Sequence, residues 1–357
     1  MKYLLAINFY QGGPNFHYDN FKIGLFYAIT RNRAIVTLPF ANHYGHRDES
    51  FFWSFDDTFE RGKLAQALPV ITPEQFHTLC NGSVEVMLMN PYTERNRKSF
   101  SVYEHAYKKT RSNLKEVTNI SMPSFEDMPE SAEESQRRYL NINKVKCLGM
   151  FKPLDFWRIM KMEVTHRRKR QIIDLIDKNL KRTPSLRHRV DAILYHLCQG
   201  RPFLSMHWRN RTGEVCQMQL RNAWKLDCNR LLTYISMASK KVVRGVEQIM
   251  EENNLSCVYV AHPSYSWEIV ELMKAKIPNV YTSEDILALD IPEVANLNEN
   301  YLLSLVEQEI VYRGVIFIAS LTTNWSEFVA RERAAEGKKT LFLNEVPEVP
   351  KHLHKLI

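Results

Sequence analysis

Short apolar runs alternate with segments of helical periodicity along this chain, and that alternation limits the possible folds more than any single motif does. Residues 3–8, 34–38, 84–88, 203–207, 257–261, 315–319 and 340–343 read as strands. Between them, residues 18–30, 154–164, 171–180, 184–197, 229–252, 267–275, 301–312 and 325–335 place apolar side chains at helical spacing. Strand, helix, strand in strict succession builds a parallel sheet with crossover helices. The chain opens in this way: strand 3–8, the turn Gln11-Gly12-Gly13-Pro14-Asn15, a helix, then a strand ended by Pro39. The fold class predicted is therefore α/β. A length of 357 residues fits two domains of ordinary size.

The domain boundary is placed at 180/181, giving an N-terminal unit 1–180 and a C-terminal unit 181–357. Residues 92–145 are polar and poor in aliphatics, and read as a long excursion with partial order. No run approaches the ~18 consecutive apolar residues of a membrane span. The formal net charge of +8 favours an anionic ligand, polymer or surface without choosing among them. The cluster His166-Arg167-Arg168-Lys169-Arg170 could be a nuclear signal or a nucleic-acid patch, but no aromatic-interleaved basic motif accompanies it. It reads as a solvated helix face, so no nucleic-acid partner is expected.

The run 203–214 is where chemistry is expected. It is a short apolar strand ending in His207-Trp208-Arg209, followed by a polar loop with Gly213. Alternation puts His207 and Arg209 on one face and Met206 and Trp208 on the other. Ligands of open α/β sheets bind beyond the carboxyl ends of the strands. A forked guanidinium there suits a phosphate or pyrophosphate, although pairing with a carboxylate at the sheet rim is the plain alternative. Two more strand ends converge on the same place, one at His262-Pro263-Ser264 and one at the turn Thr323-Asn324-Trp325. Near the N-terminus, Gly12 and Gly13 let a ligand approach the backbone, and the helix that follows favours an anion; a plain tight turn is the alternative. This loop lacks both GxGxxG and GxxxxGK[ST], so neither a dinucleotide nor a P-loop site is read there.

Asp56 and Asp57 resemble a metal pair, but adjacent side chains diverge, and a local cap or turn explains them better. No Asp-x-Asp occurs, which argues against the usual metal-chelating device for a nucleotide sugar. The six cysteines show neither CxxC nor zinc spacing and are sparse for a chain of this length. Cys198 and Cys257 lie in apolar patterns and read as core thiols, while Cys216 and Cys228 could pair in an oxidising compartment. Asn-x-Ser/Thr sequons start at Asn81, Asn119, Asn210, Asn254 and Asn324.

Taken in order, these segments resemble the GDP-fucose protein O-fucosyltransferase superfamily. The Gly-Gly-Pro-Asn turn with Arg31-Asn32-Arg33-Ala34-Ile35-Val36-Thr37-Leu38-Pro39 is similar to its first motif, and Met206-His207-Trp208-Arg209 to its His-x-Arg signature. Phe317-Ile318-Ala319-Ser320 and Ser326-Glu327-Phe328-Val329-Ala330-Arg331-Glu332-Arg333 resemble its last motif. The resemblance implies a GT-B architecture, two Rossmann-like domains facing a cleft, and inverting transfer of fucose from GDP-fucose to a protein or glycan hydroxyl, with no essential metal or other cofactor. It implies that Arg209 holds the β-phosphate and stabilises departing GDP. His207 would contact the nucleotide, and His262 and Ser264, at the strand end that converges on it, are read as further nucleotide-sugar contacts. Gly12, Gly13 and Asn15 would line the donor or acceptor side, Thr323 and Asn324 would bind phosphate oxygens, and Trp325 would pack beside the nucleotide. Glu307 falls where the family has an Asp that reads the base. Two alternatives remain: an inactive GT-B paralogue serving as a binding protein, and an enzyme for another nucleotide sugar. If a leader has been trimmed, the compartment is the endoplasmic reticulum or Golgi lumen; otherwise it is the cytoplasm.

Overall fold

The computed structural model describes residues 1–7, 9, 13–41, 52–89, 100–126, 142–160, 164–210, 213–214, 216, 227–263, 266–297, 300–320 and 323–351. It divides into two compact units, Met1–Thr183 and Pro184–Ile357.

In the first unit the strands are β1 (Tyr3–Ile7), β2 (Ala34–Val36), β3 (Phe40–Ala41), β4 (Phe52–Trp53), β5 (Val70–Ile71), β6 (Val86–Leu88) and β7 (Cys147–Phe151). Five of them form a parallel sheet in the order β5-β2-β1-β7-β6, while β3 and β4 pair as an antiparallel ribbon. Side chains of β1 alternate between two layers. Tyr3, Leu5 and Ile7 join one core with Phe76, Tyr107 and Leu114. On the opposite face lies the helix Pro14–Thr30, which approaches so closely that a Cβ on Gly24 would collide with that of Ala6. Proline at its first position starts this helix, and Asn32, at φ 49°, turns the chain out of it. Arg33 is then buried, and its guanidinium donates to the carbonyls of Ile142 (2.6 Å), Val145 (3.0 Å) and Tyr3 (3.3 Å). The Arg31-Asn32-Arg33 segment is thus a helix stop followed by a clamp on the sheet.

The polar excursion 92–145 contains more order than its composition predicts. A helix, Phe100–Thr118, buries Tyr103, Ala106, Tyr107 and Leu114. Thr110 and Asn113 occupy buried positions on the same stripe, and these polar residues hid the helical period. The basic cluster opens the helix His166–Asn179, with Arg167, Arg168 and Arg170 exposed and Ile172 and Ile176 buried. Asp57 belongs to a one-turn helix capped by Ser54, whose hydroxyl accepts its N–H at 3.0 Å, and Asp56 pairs with Arg61.

The second unit holds β8 (Leu204–His207), β9 (Val258–Ala261), β10 (Val280–Tyr281), β11 (Ile316–Ala319) and β12 (Thr340–Phe342), all parallel in the order β10-β9-β8-β11-β12. Leu204, Met206 and Trp208 enter a core with Val242, Val246 and Ile249 of the helix Cys228–Glu252 and with Ile269 and Met273 of the helix Trp267–Lys274. Ser205 and His207 face the other layer, formed by the helices Asn300–Arg313 and Asn324–Ala335. There Arg333, fully buried, donates to the carbonyls of Tyr312 (2.6 Å), Gly314 (2.7 Å) and Lys339 (2.5 Å).

The cysteine reading needs correction. Cys198 and Cys257 are not core thiols: they form a disulfide, as do Cys80 with Cys147 and Cys216 with Cys228. Sequence separations of 67 and 59 hide the first two pairings, because the sheets bring the partners together.

Candidate functional site

In the second unit the chain lays down its central strand first, β8. It adds β9 and β10 on one side, then crosses over and adds β11 and β12 on the other. Strand order reverses between β8 and β11, and the crevice beyond the carboxyl ends at such a switch point is where open α/β sheets bind ligands. His207 is the last residue of β8, and β11 ends at Ala319.

The two strand ends are joined by one hydroxyl. Ser320 Oγ donates to the His207 carbonyl at 2.8 Å and accepts the Arg209 N–H at 3.2 Å. In the helix Asn324–Ala335, which follows β11 in the chain, Thr323 is the N-cap and its Oγ1 accepts the Ser326 N–H at 3.1 Å. The first turn of that helix holds the His207 ring from two directions. Trp325 stacks on it, with centroids 4.2 Å apart and planes inclined by 30°, and Ser326 Oγ lies 2.6 Å from Nδ1. The indole is fixed in turn, since Nε1 donates to Ser304 Oγ at 3.0 Å.

Burial, reinforced by the charge of Arg209 and by His262, drives the His207 pKa down to about 3. The ring is neutral at physiological pH and can offer one N–H and one lone pair. Arg209 reaches out from the same strand end and pairs with Glu214 at 2.9 Å, both side chains being partly exposed. The rim ion pair foreseen as the plain alternative therefore exists, and it keeps a permanent cation at the switch point. Asn210 is buried and braces the loop by accepting the Gly213 N–H at 2.7 Å.

Among the predicted site residues, His207, Arg209, Thr323, Asn324 and Trp325 come together around this crevice, with His262 at the end of the neighbouring strand β9. His262 Nδ1 lies 2.9 Å from the Pro263 carbonyl, and burial lowers its pKa. Glu307 sits on the helix Asn300–Arg313, one turn beyond Ser304, where Tyr259 of β9 donates to its carboxyl at 2.9 Å. Burial raises the Glu307 pKa to about 7, an effect the Tyr259 hydrogen bond opposes. Ser264 and Gly12 lie outside the described residues. Gly13 and Asn15 belong to the first unit: Gly13 is the N-cap of the helix Pro14–Thr30 with extended backbone angles open to any residue, and Asn15 lies in its first turn. Reasoning from sequence overlooked Ser304, and it quoted Ser320 and Ser326 only within the last motif without a role, because serines at these spacings carry no structural signal until the strand ends and helix termini are brought together. Among the described residues, no group of three or more His, Cys, Asp and Glu side chains gathers in a metal-binding arrangement.

The overall likeness to known proteins is broad. Over 96% of this chain and 98% of that one, the structure superposes on crystalline POFUT1 in complex with GDP, at TM-score 0.59 and 15% identity. The POFUT1 complex with GDP-fucose gives the same TM-score and identity over 95% and 96%. The fucosyltransferase NodZ from Bradyrhizobium is more distant, at TM-score 0.47, 15% identity and 92% of each chain. No curated protein matches the chain by sequence. At this identity the likeness is one of fold, the GT-B fold of fucosyltransferases, here a mixed α/β chain with two parallel sheets. The sequence model of GDP-fucose protein O-fucosyltransferases matches residues 3–336, nearly the whole chain. This chain belongs to the GDP-fucose protein O-fucosyltransferase family.

Proposed function

We propose that this chain is an inverting glycosyltransferase that moves fucose from GDP-fucose to a hydroxyl of a protein or glycan acceptor, without an essential metal. The observation that carries the reading is the joining of His207, Arg209 and the first turn of the helix Asn324–Ala335 at the switch point of the second sheet. A helix N-terminus beside a guanidinium is an anion site by geometry and dipole. In this reading the diphosphate lies against the amides and side chains of Thr323 and Asn324. Arg209 exchanges part of its contact with Glu214 for the β-phosphate and stabilises the charge that grows as the bond from fucose C1 to the phosphate oxygen breaks. Preorganised donors of this kind typically contribute about 3–4 kcal/mol each to the transition state. Neutral His207 hydrogen-bonds the nucleotide without adding charge, Trp325 packs beside it, and Glu307 addresses the base. Gly12, Gly13 and Asn15 of the first unit serve the donor or acceptor, and Ser264 follows His262. The three disulfides favour an oxidising compartment, the lumen of the endoplasmic reticulum or Golgi.

The test is calorimetric titration with GDP, UDP, GDP-fucose and GDP-mannose, with and without EDTA, on wild type and Arg209→Ala. Binding of GDP and GDP-fucose that ignores EDTA and weakens sharply in the variant supports the reading. Preference for another nucleotide would reassign the donor. Donor binding with no fucose released in the presence of acceptor glycoproteins would make the chain a binding protein.

A further inference from the structure

We infer that His262 reads the ribose of the bound nucleotide, accepting one of its hydroxyl protons at Nε2. The inference rests on the nucleotide site proposed above and adds a specificity-determining contact to it.

His262 is the first residue after β9, the strand beside β8 on the side away from β11. In a doubly wound sheet the phosphates sit at the switch point, here between β8 and β11. In the dinucleotide-binding form of such a sheet, an acidic residue after the strand laid down second reads a ribose hydroxyl, and β9 with His262 occupies the corresponding place here. The two strands are locked in register, His207 opposite Ala261, with the Trp208 N–H bonded to the Ala261 carbonyl at 2.9 Å. His262 thus stands one strand over from His207, about 4.8 Å in the sheet direction.

The chemistry of the ring narrows the ligand group further. A carbonyl oxygen only accepts, so the 2.9 Å contact between Nδ1 and the Pro263 carbonyl requires the proton on Nδ1. In the neutral ring Nε2 is then a bare lone pair. It is buried and has no hydrogen-bond partner among the described residues. The lowered pKa agrees with a neutral ring. A phosphate oxygen cannot satisfy this atom, because both would be acceptors. A ligand donor can; in GDP the donors are the ribose hydroxyls and the N–H groups of the base, and the position over β9, next to the diphosphate, selects the ribose. Trp267, its ring 5.3 Å from that of His262, backs the imidazole from the following helix. A buried acceptor without a donor costs about 1–3 kcal/mol, which the ribose would recover on binding.

The experiment titrates GDP, 2′-deoxy-GDP and 3′-deoxy-GDP into wild type, His262→Ala and His262→Phe, the last keeping the volume of the ring without its lone pair. Wild type should bind one of the deoxy nucleotides about 3–10-fold more weakly than GDP. In both variants GDP should weaken by a similar factor and the difference between GDP and that analogue should vanish. Equal binding of all three nucleotides by wild type overturns the inference, and so does discrimination that survives in a folded variant. Failure of wild type to bind GDP at all is a different result, which removes the nucleotide site itself.

Discussion

His207 and Ser326, 119 positions apart in sequence, meet at 2.6 Å between Nδ1 and Oγ, and this contact ties the end of the central strand to the first turn of the helix proposed to cradle the diphosphate. With the Trp325 stack it fixes the orientation of a neutral imidazole. Ser326→Ala removes the hydrogen bond but little volume. GDP affinity should fall about 3–10-fold while circular dichroism and melting behaviour stay close to wild type. Unchanged affinity would mean that Trp325 alone holds the ring.

Glu307 and His207 pull stability in opposite directions with pH. The Glu307 pKa is raised from 4.5 to about 7, so the folded state holds a proton that the unfolded chain releases. Its contribution is full below pH 4.5 and is lost as pH rises through 7. The His207 pKa is lowered from 6.5 to about 3, so its contribution is full above pH 6.5 and is lost as pH falls. Glu307→Gln removes only the first effect. Urea denaturation between pH 4.5 and 7 should show stability rising more steeply with pH in the variant than in wild type.

Arg333, from the Arg331-Glu332-Arg333 segment, has a structural role rather than one at the ligand. It collects carbonyls from the end of the helix Asn300–Arg313 and from the turns before β11 and β12. Burial lowers its pKa to about 10, which leaves it charged. Arg333→Ala orphans several buried carbonyls and should cost more than about 3 kcal/mol in chemical denaturation. Arg333→Lys should rescue little, because an ammonium cannot reproduce the fork. A mild loss in either variant would show that water replaces the guanidinium.

All six cysteines are paired, so unfolding without reductant should expose no free thiol. The Cys80–Cys147 and Cys198–Cys257 loops are long, and each cross-link should be worth about 4 kcal/mol by chain entropy. Replacing either pair by alanines should lower Tm by several degrees. Free thiols in unreduced protein purified from the secretory pathway would contradict the lumenal proposal.

That proposal also makes the sequons distinguishable. Asn81, Asn119 and Asn254 are exposed, each at a left-handed turn just past a helix. Asn210 is buried, with its Oδ1 engaged by the Gly213 amide. Protein secreted from eukaryotic cells should carry glycans at the first three and none at Asn210, as read by mass spectrometry after glycosidase treatment. Occupancy at Asn210 in folded protein would contradict the loop geometry.

Much of the second sheet was readable from local pattern. The apolar runs ending at His207, Ala261 and Ala319 are fully buried strands flanked by helices with strong periodicity, and such runs announce themselves without reference to the rest of the chain. The helix Phe100–Thr118 was unreadable, because Thr110 and Asn113 fill buried positions that periodicity expects to be apolar. The site divides in the same way. His207 and Arg209 stood out because an ionisable pair closing an apolar strand is a local anomaly, whereas the roles of Ser320 and Ser326 became visible only beside the strand end they serve.

By itself the sequence determined the α/β class, the strand ends proposed to hold the nucleotide and the identity of the charged residues, because these follow from patterns within about a dozen neighbouring positions. Tertiary structure decided the strand order that creates the switch point, the three disulfides, the protonation of His207 and Glu307 and the tautomer of His262. Each of those depends on groups far apart in the chain being buried against one another, and burial sets both which partners exist and what charge they can carry.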